Sequence, residues 1–341
     1  MTTKTTANPL GMRGIAFVEF ASDRPDHLQR MFASLGLSHT HRHKTFAVDA
    51  FRQGSVLFFV NRQEGSFAAR FRAQHGPCVS ALGFAFEDPR AAYAEAVRRG
   101  ARPFEGAGAT FDVPAVYGIG DSLVYFVDSR GVDHELLPLD RPEPARPAGF
   151  LAVDHLTNNV HAGTLSTWSD YYKNVYGFTE VRSFDIEGQK SGLYSYALRS
   201  PCGTFCIPIN EDKGEKGQIA EYLREYRGPG VQHIALLSKD LLASLDVIQG
   251  ALPTLDIDAD YYADVFRRVP GVRENPARIA AHQVLVDGDD EGYLLQIFTK
   301  NVIGPIFFEF IQRENHLSFG EGNFSALFRS IERDQEKRGV L

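Results

Sequence analysis

Apolar residues along this chain recur in two rhythms, one suited to strands and one to helices. The densest short run is Gly304-Pro305-Ile306-Phe307-Phe308-Glu309-Phe310-Ile311-Gln312-Arg313. Its bulky β-formers predict a strand. A run so short and so apolar is expected to be covered on both faces. Glu309 sits inside it. A buried carboxylate is costly unless a cation pairs with it or a metal binds it. A salt bridge and a metal ligand are therefore both open readings of Glu309.

The rest of the chain falls into repeating units. Residues 14–20 predict a strand and residues 26–35 a helix, with Leu28, Met31, Phe32 and Leu35 at helical spacing and Gly36 as cap. Strands over 46–51 and 55–61 flank a turn at Gln53-Gly54. The order then recurs: a strand over 79–87, a helix over 88–99 opened by Asp88-Pro89 and closed by Gly100, and strands over 122–127 and 134–138. Residues 139–150, rich in Pro, Arg and Glu, predict a linker, with a domain boundary near residue 145. The second half repeats the course. Strands are expected over 152–158, 178–187, 193–200, 203–210, 230–237, 293–299 and 306–312, and helices over 167–175, 218–226 and 243–252. Residues 256–277 show no readable period. A last helix over 323–338 carries Phe324, Leu327, Phe328 and Ile331 on one face, which suits core packing or a lid. The result is four weakly similar βαβ-type units, each too small to bury a core alone. They should pair, two per half, with each sheet curling over its own interior.

Equivalent places in these units carry the chemistry. The first strand of the third unit holds Val153-Asp154-His155-Leu156, that of the fourth holds Val231-Gln232-His233-Ile234, and the last strand holds Glu309. These residues are 78 (233 − 155) and 76 (309 − 233) positions apart, so only the fold could assemble them. A lone strand histidine is commonly a hydrogen-bonded core residue. Two imidazoles with one carboxylate, and other positions left open, suit non-haem Fe(II) in oxygen chemistry. In the first half Ala81 stands where His233 does, the first strand has no histidine, and Glu135 matches Glu309, so that half is expected to be metal-free. His39, His41 and His43 alternate without a neighbouring carboxylate or cysteine and predict a solvated strand face. No GxGxxG after a strand, no GxSxG and no P-loop is present.

Composition narrows the rest. The 341 residues are 43% hydrophobic and 23% charged, as in ordinary globular proteins. A net charge of −7 disfavours nucleic acid and anionic membranes as partners. Cys78, Cys202 and Cys206 form neither a disulfide framework nor a zinc spacing. Residues 1–11 lack an apolar signal core, and no apolar run reaches the roughly 18–20 residues of a membrane helix. A cytoplasmic protein with reduced thiols is expected.

The stretches Asp154-His155-Leu156-Thr157-Asn158-Asn159-Val160, Gly230-Val231-Gln232-His233, Leu294-Leu295-Gln296-Ile297-Phe298, Phe307 to Arg313, Phe319-Gly320-Glu321-Gly322-Asn323-Phe324 and Ile331-Glu332-Arg333-Asp334-Gln335 resemble 4-hydroxyphenylpyruvate dioxygenase, of the vicinal oxygen chelate superfamily. The match runs from Asn8 to Leu341, with Ser318 where a glycine is expected. The resemblance implies an α+β fold of four βαβββ-type modules, forming two open β-barrel-like domains with a C-terminal lid helix. It implies a metal-free domain over 1–145 and a catalytic domain over 146–341. His155, His233 and Glu309 would bind Fe(II), and an α-keto acid would chelate it beside O2. Gln296, Asn210 and Ser195 would be catalytic. Gln218, Gln232, Phe298, Phe307, Phe319, Asn323, Phe324 and Phe328 would bind the substrate. The implied product of 4-hydroxyphenylpyruvate is homogentisate with CO2, and a dimer or tetramer is implied. The rival readings are 4-hydroxymandelate synthase, from which Phe324, Pro208 and Asn210 point away, an extradiol dioxygenase, and a non-catalytic binding protein on the same fold.

Overall fold

The apolar strands pair as the repeat requires, and they do so twice. The computed structural model describes residues 8–188, 191–214 and 217–340. Residues 1–7 of the polar N-terminal stretch, and Leu341 at the end of the resemblance, lie outside the described residues. The first sheet contains β1 (Met12–Ala21), β2 (Ser38–His43), β3 (Val48–Gln53), β4 (Val56–Asn61), β5 (Cys78–Phe86), β6 (Ala115–Tyr117), β7 (Leu123–Val127) and β8 (Leu136–Glu143). The second contains β9 (Phe150–Val160), β10 (Thr179–Glu187), β11 (Gly192–Arg199), β12 (Cys206–Asp212), β13 (Gly230–Ser238), β14 (Leu285–Gly288), β15 (Tyr293–Phe298) and β16 (Phe307–Glu314). Their orders are β6-β7-β5-β1-β4-β3-β2-β8 and β10-β11-β12-β9-β13-β16-β15-β14.

The two sheets share one plan. At each centre an antiparallel pair, β1 with β5 or β9 with β13, joins two modules. Each member of the pair also takes a parallel neighbour: β4 beside β1, β7 beside β5, β12 beside β9 and β16 beside β13. The parallel neighbours make these central strands apolar on both faces, as the near-continuous run of Phe307 to Ile311 anticipates. This is the vicinal oxygen chelate fold: modules of mixed helix and strand in two curled sheets. Aromatic contacts fuse the halves, with Phe58 against Phe308 at 6.1 Å and Phe84 against Phe205 at 5.5 Å between ring centroids.

Several local expectations change. Residues 139–143 are not linker but the outer part of β8, hydrogen-bonded to β2. Their polarity reflects an exposed edge, where Pro138 and Pro142 cost no ladder bond to a further strand. The passage between sheets is the short stretch 144–149. The predicted helix over 167–175 is α-helical over Leu165–Tyr171 and then widens into a π turn over Tyr172–Tyr176, ended by left-handed Gly177 at φ 82°. The unread stretch 256–277 holds a helix over Ala259–Arg268 and the start of another over Pro276–Ala281. Phe67–His75 is a further helix whose weak amphipathic pattern gave no signal.

Two readings of the first half are corrected. His43 is buried rather than solvated: its Nδ1 accepts from the backbone N–H groups of Thr45 and Phe46, and its Nε2 donates to Glu135 at 3.3 Å. His39 likewise faces Asp49 at 3.2 Å. The carboxylates that satisfy these histidines come from other strands and turns, which the local sequence does not show. Glu135, in turn, is not the counterpart of Glu309. Tyr125 pairs with Gly83 as Glu309 pairs with Ala235. By the same register Phe17 corresponds to His155, and Ala81 to His233.

The interior of the first half is therefore filled by rings. Phe17 lies 5.2 Å from Phe59, 5.1 Å from Phe111 and 5.9 Å from Tyr125. Gly83 makes room for it, because a Cβ there would stand 2.3 Å from the Phe17 ring. Gly83→Ala is expected to destabilise the protein by about 1–3 kcal/mol, since the ring has no free direction in which to move. Urea unfolding measures this, and a variant as stable as the parent would contradict the packing account.

Candidate metal centre and pocket

In the second half the same three register positions carry ligand-type side chains. β9, β13 and β16 are adjacent in the sheet, so residues distant in sequence become neighbours across two ladders. The β9–β13 ladder slips at three places, and two of these slips lie beside the histidines. Asp154 is the extra residue between the pairs His155–Ala235 and Val153–Leu236, and Gln232 the extra one between Val231–Asn158 and His233–Thr157. A bulge places two consecutive side chains opposite one partner residue and re-aims them. Each histidine is thus preceded by a bulged polar residue that reaches its ring. His155 Nδ1 donates to Asp154 Oδ2 at 2.7 Å, and His233 Nδ1 donates to Gln232 Oε1 at 2.9 Å. The first half has the same slips at Ala16 and Ser80, without the histidines.

With both Nδ1 atoms occupied, both Nε2 atoms turn inward. They stand 3.2 Å apart, and Glu309 Oε2 lies 3.1 Å from His155 Nε2 and 3.4 Å from His233 Nε2. Among the described residues Glu309 is ion-paired with these histidines and not with Lys or Arg, so the salt-bridge reading has no partner to offer. Ligands at right angles and about 2.1 Å from an ion would stand ~3.0 Å apart. The observed spacings match one face of an octahedron. The residues present fit a divalent metal, and Fe(II) with them.

The charges are coupled. Burial opposes ionisation of Glu309, but the two histidines outweigh it and hold the carboxyl down at about 2. Burial pushes His155 down, yet Glu309 and Asp154 outweigh it and raise the imidazole to about 9. Burial, joined by the charge of His155, lowers His233. The metal-free cluster thus holds one proton, between His155 and Glu309. Asp154 is kept well below the usual carboxylate range, against its burial, by Arg313 and His155. Arg313 Nε and Nη2 each donate to one Asp154 oxygen at 2.8 Å.

The cluster opens onto a pocket with about 650 Å³ of empty space. Ser195, Asn210, Gln218, Gln232, Phe298, Phe307, Phe319, Phe324 and Phe328 all line it. Phe307 stacks on His233 at 4.8 Å, and Phe319 meets His155 edge-on at 5.8 Å. The C-terminal helix, Phe324–Lys337, lays Phe324, Leu327, Phe328 and Ile331 across the opening. Two predicted residues lie elsewhere. Gln296 is buried on β15 beneath Gly320, whose added Cβ would come within 2.3 Å of the amide. Asn323 turns away, its Oδ1 accepting from Tyr261 at 2.7 Å and Arg268 at 3.1 Å. Sequence reasoning missed Thr157, Phe184, Ile186 and Leu193 on the wall, and the Asp154–Arg313 pair behind His155. The signal for that pair was available, since Asp154 precedes a candidate ligand and Arg313 follows Glu309 by four residues, two strand repeats, on the same face.

The chain is similar to known proteins over nearly its whole length. The family model "Hydroxyphenylpyruvate dioxygenase, HPPD, N-terminal" matches residues 6–140. Protein MelA of Shewanella colwelliana is 52% identical over 98% of this chain and 99% of its own. The 4-hydroxyphenylpyruvate dioxygenase of Legionella pneumophila is 40% identical over 98% of both chains. Among solved structures, a triple mutant of 4-hydroxymandelate synthase from Streptomyces coelicolor superposes with a TM-score of 0.80 and 25% identity, over 95% of this chain and 99% of that one. Among the described residues no helix is long and apolar enough to cross a membrane.

A metal must displace the proton that the cluster holds. Below about 9 His155 is protonated in the metal-free protein, whereas a ligand needs its lone pair. At neutral pH metal binding should therefore release about one proton per ion, with affinity rising as pH increases. Titration calorimetry in buffers of different ionisation enthalpy counts the proton. Release of none would contradict the coupled charge state.

Proposed function

The chain belongs to the 4-hydroxyphenylpyruvate dioxygenase family, and on that premise we propose that it converts 4-hydroxyphenylpyruvate and O2 to homogentisate and CO2 with Fe(II). The observation that carries this reading is a carboxylate-and-imidazole face opening onto a pocket with aromatic walls and neutral polar groups. No Lys or Arg is among the residues lining that pocket. An anionic keto acid therefore has the metal as its positive partner. His155, His233 and Glu309 would hold the ion, which supplies keto-acid chelation and O2 activation when bound.

The remaining residues bind, orient and keep out water. Asp154 and Gln232 fix the tautomers, so that both Nε2 lone pairs face the ion. Phe307 and Phe298 offer flat surfaces to an aromatic ring beside His233. Ser195 and Asn210 sit opposite each other on β11 and β12 and, with Gln218, give neutral partners for a phenol hydroxyl. Neutral amides orient a phenol without adding charge near the chelated keto acid. The C-terminal helix shields the pocket, which keeps water from reactive intermediates. We further propose that the unit over 1–145 is metal-free, with Phe17, Ala81 and Tyr125 at the three ligand positions, and that 146–341 is the catalytic unit.

The related reading as a 4-hydroxymandelate synthase shares substrate and triad and differs in the carbon attacked. Incubating the protein with Fe(II), ascorbate and 4-hydroxyphenylpyruvate, following O2 uptake and identifying the aromatic product, separates the two. Homogentisate is expected. Hydroxymandelate would move the reading to the synthase, and iron binding without O2 uptake would reject this substrate.

A further inference from the structure

Arg313 makes two sets of contacts with one guanidinium. One edge clasps both oxygens of Asp154, which receives the His155 N–H. The other nitrogen, Nη1, donates to the backbone carbonyls of Ser318 at 2.6 Å and His316 at 3.1 Å. Those carbonyls belong to the segment that leaves β16 and leads to the lid helix. Elsewhere that segment is tied outward, Asn315 to the Glu291 carbonyl at 2.9 Å and His316 to Asp289 at 3.5 Å. Next in the chain is Phe319, which packs edge-on against His155 and has the Arg313 guanidinium 6.0 Å from its ring centre. The side chains of Arg313 and Asp154 are 13% and 12% exposed, so solvent screens the pair little.

We propose that Arg313 is a positioning residue that couples the metal ligand His155 to the segment closing the pocket. Its planar fork suits this role, because it can hold a carboxylate and two carbonyls at once in fixed geometry. Orientation of His155 by a metal is passed through Asp154 to the guanidinium, and from there to the carbonyls of His316 and Ser318. Phe319 packs edge-on against His155, so whatever steadies the ligand histidine also steadies this part of the wall. The inference rests on the reading of His155, His233 and Glu309 as a metal site.

The test uses Co(II), an air-stable probe, on the full chain. Two quantities are read: the Co(II) dissociation constant, by competition with a chelator, and hydrogen exchange of the amides of residues 315–319 with and without Co(II). In the wild type Co(II) should slow that exchange. In Arg313→Met the affinity should weaken about 10–100-fold, as for other residues behind a metal ligand. Co(II) should then no longer protect residues 315–319. Arg313→Lys, which keeps the charge without the fork, should also lose the protection. Asp154→Asn leaves an acceptor for His155 but removes the charge that the guanidinium clasps. It should lose the protection with a smaller loss of affinity, and it carries the test if Arg313→Met fails to fold. Affinity within about twofold of the wild type in Arg313→Met, or retained Co(II) protection in any folded variant, would overturn the coupling. Absence of Co(II) binding by the wild type would instead overturn the metal-site reading beneath it.

Discussion

The second half of this protein is governed by one constraint. Two imidazoles and a carboxylate are held within 3.4 Å of each other in a buried place, and such a cluster needs a cation at its centre. A proton can serve, as the opposed shifts of His155 and Glu309 show, and so can a metal. The sheet meets the constraint by placing all three residues on adjacent central strands, each fixed by ladders on both sides. The slips at Asp154 and Gln232 then aim the rings. A straight ladder would send Asp154 and His155 to opposite faces of the sheet. The carboxylate that fixes the tautomer of His155 could not then reach its ring.

The first half shows what the same scaffold becomes without that constraint. It has the same central pair, the same parallel neighbours and the same slips, at Ala16 and Ser80. With Phe17, Ala81 and Tyr125 at the three positions, the interior closes on aromatic rings instead of opening onto a pocket. The most deeply buried carboxylate among its described residues, Glu19, is met by Asn61 at 2.8 Å and Thr110 at 2.6 Å, and burial raises it above the usual range despite them. That group is absorbed by hydrogen bonds within the core. Register and local bulges are thus common to both halves, and the identity of three side chains separates a packed core from a candidate catalytic one.

Much of this was legible in the chain. Strand positions followed from apolar runs, and Asp88-Pro89 placed a helix start that the structure confirms through two side-chain caps. His155, His233 and Glu309 could be singled out because each is a ligand-type residue in an apolar strand. What could not be read depends on partners far away in sequence. The edge strand through Pro138 and Pro142 looked like linker because exposure, not flexibility, made it polar. His43 looked solvated because Glu135 lies 92 positions away. Asn323 turned from the pocket because Tyr261 and Arg268, in the stretch without a readable period, offered it better partners.

The most direct measurement is the iron content of the full chain after anaerobic equilibration with Fe(II), compared between the wild type and His233→Ala. The account predicts about one ion per chain in the wild type and less than about a tenth of an ion in the variant. The variant should still fold, since a partly exposed ligand position tolerates the smaller side chain. Wild-type iron content in a folded His233→Ala variant would contradict the central claim that this triad is the metal site.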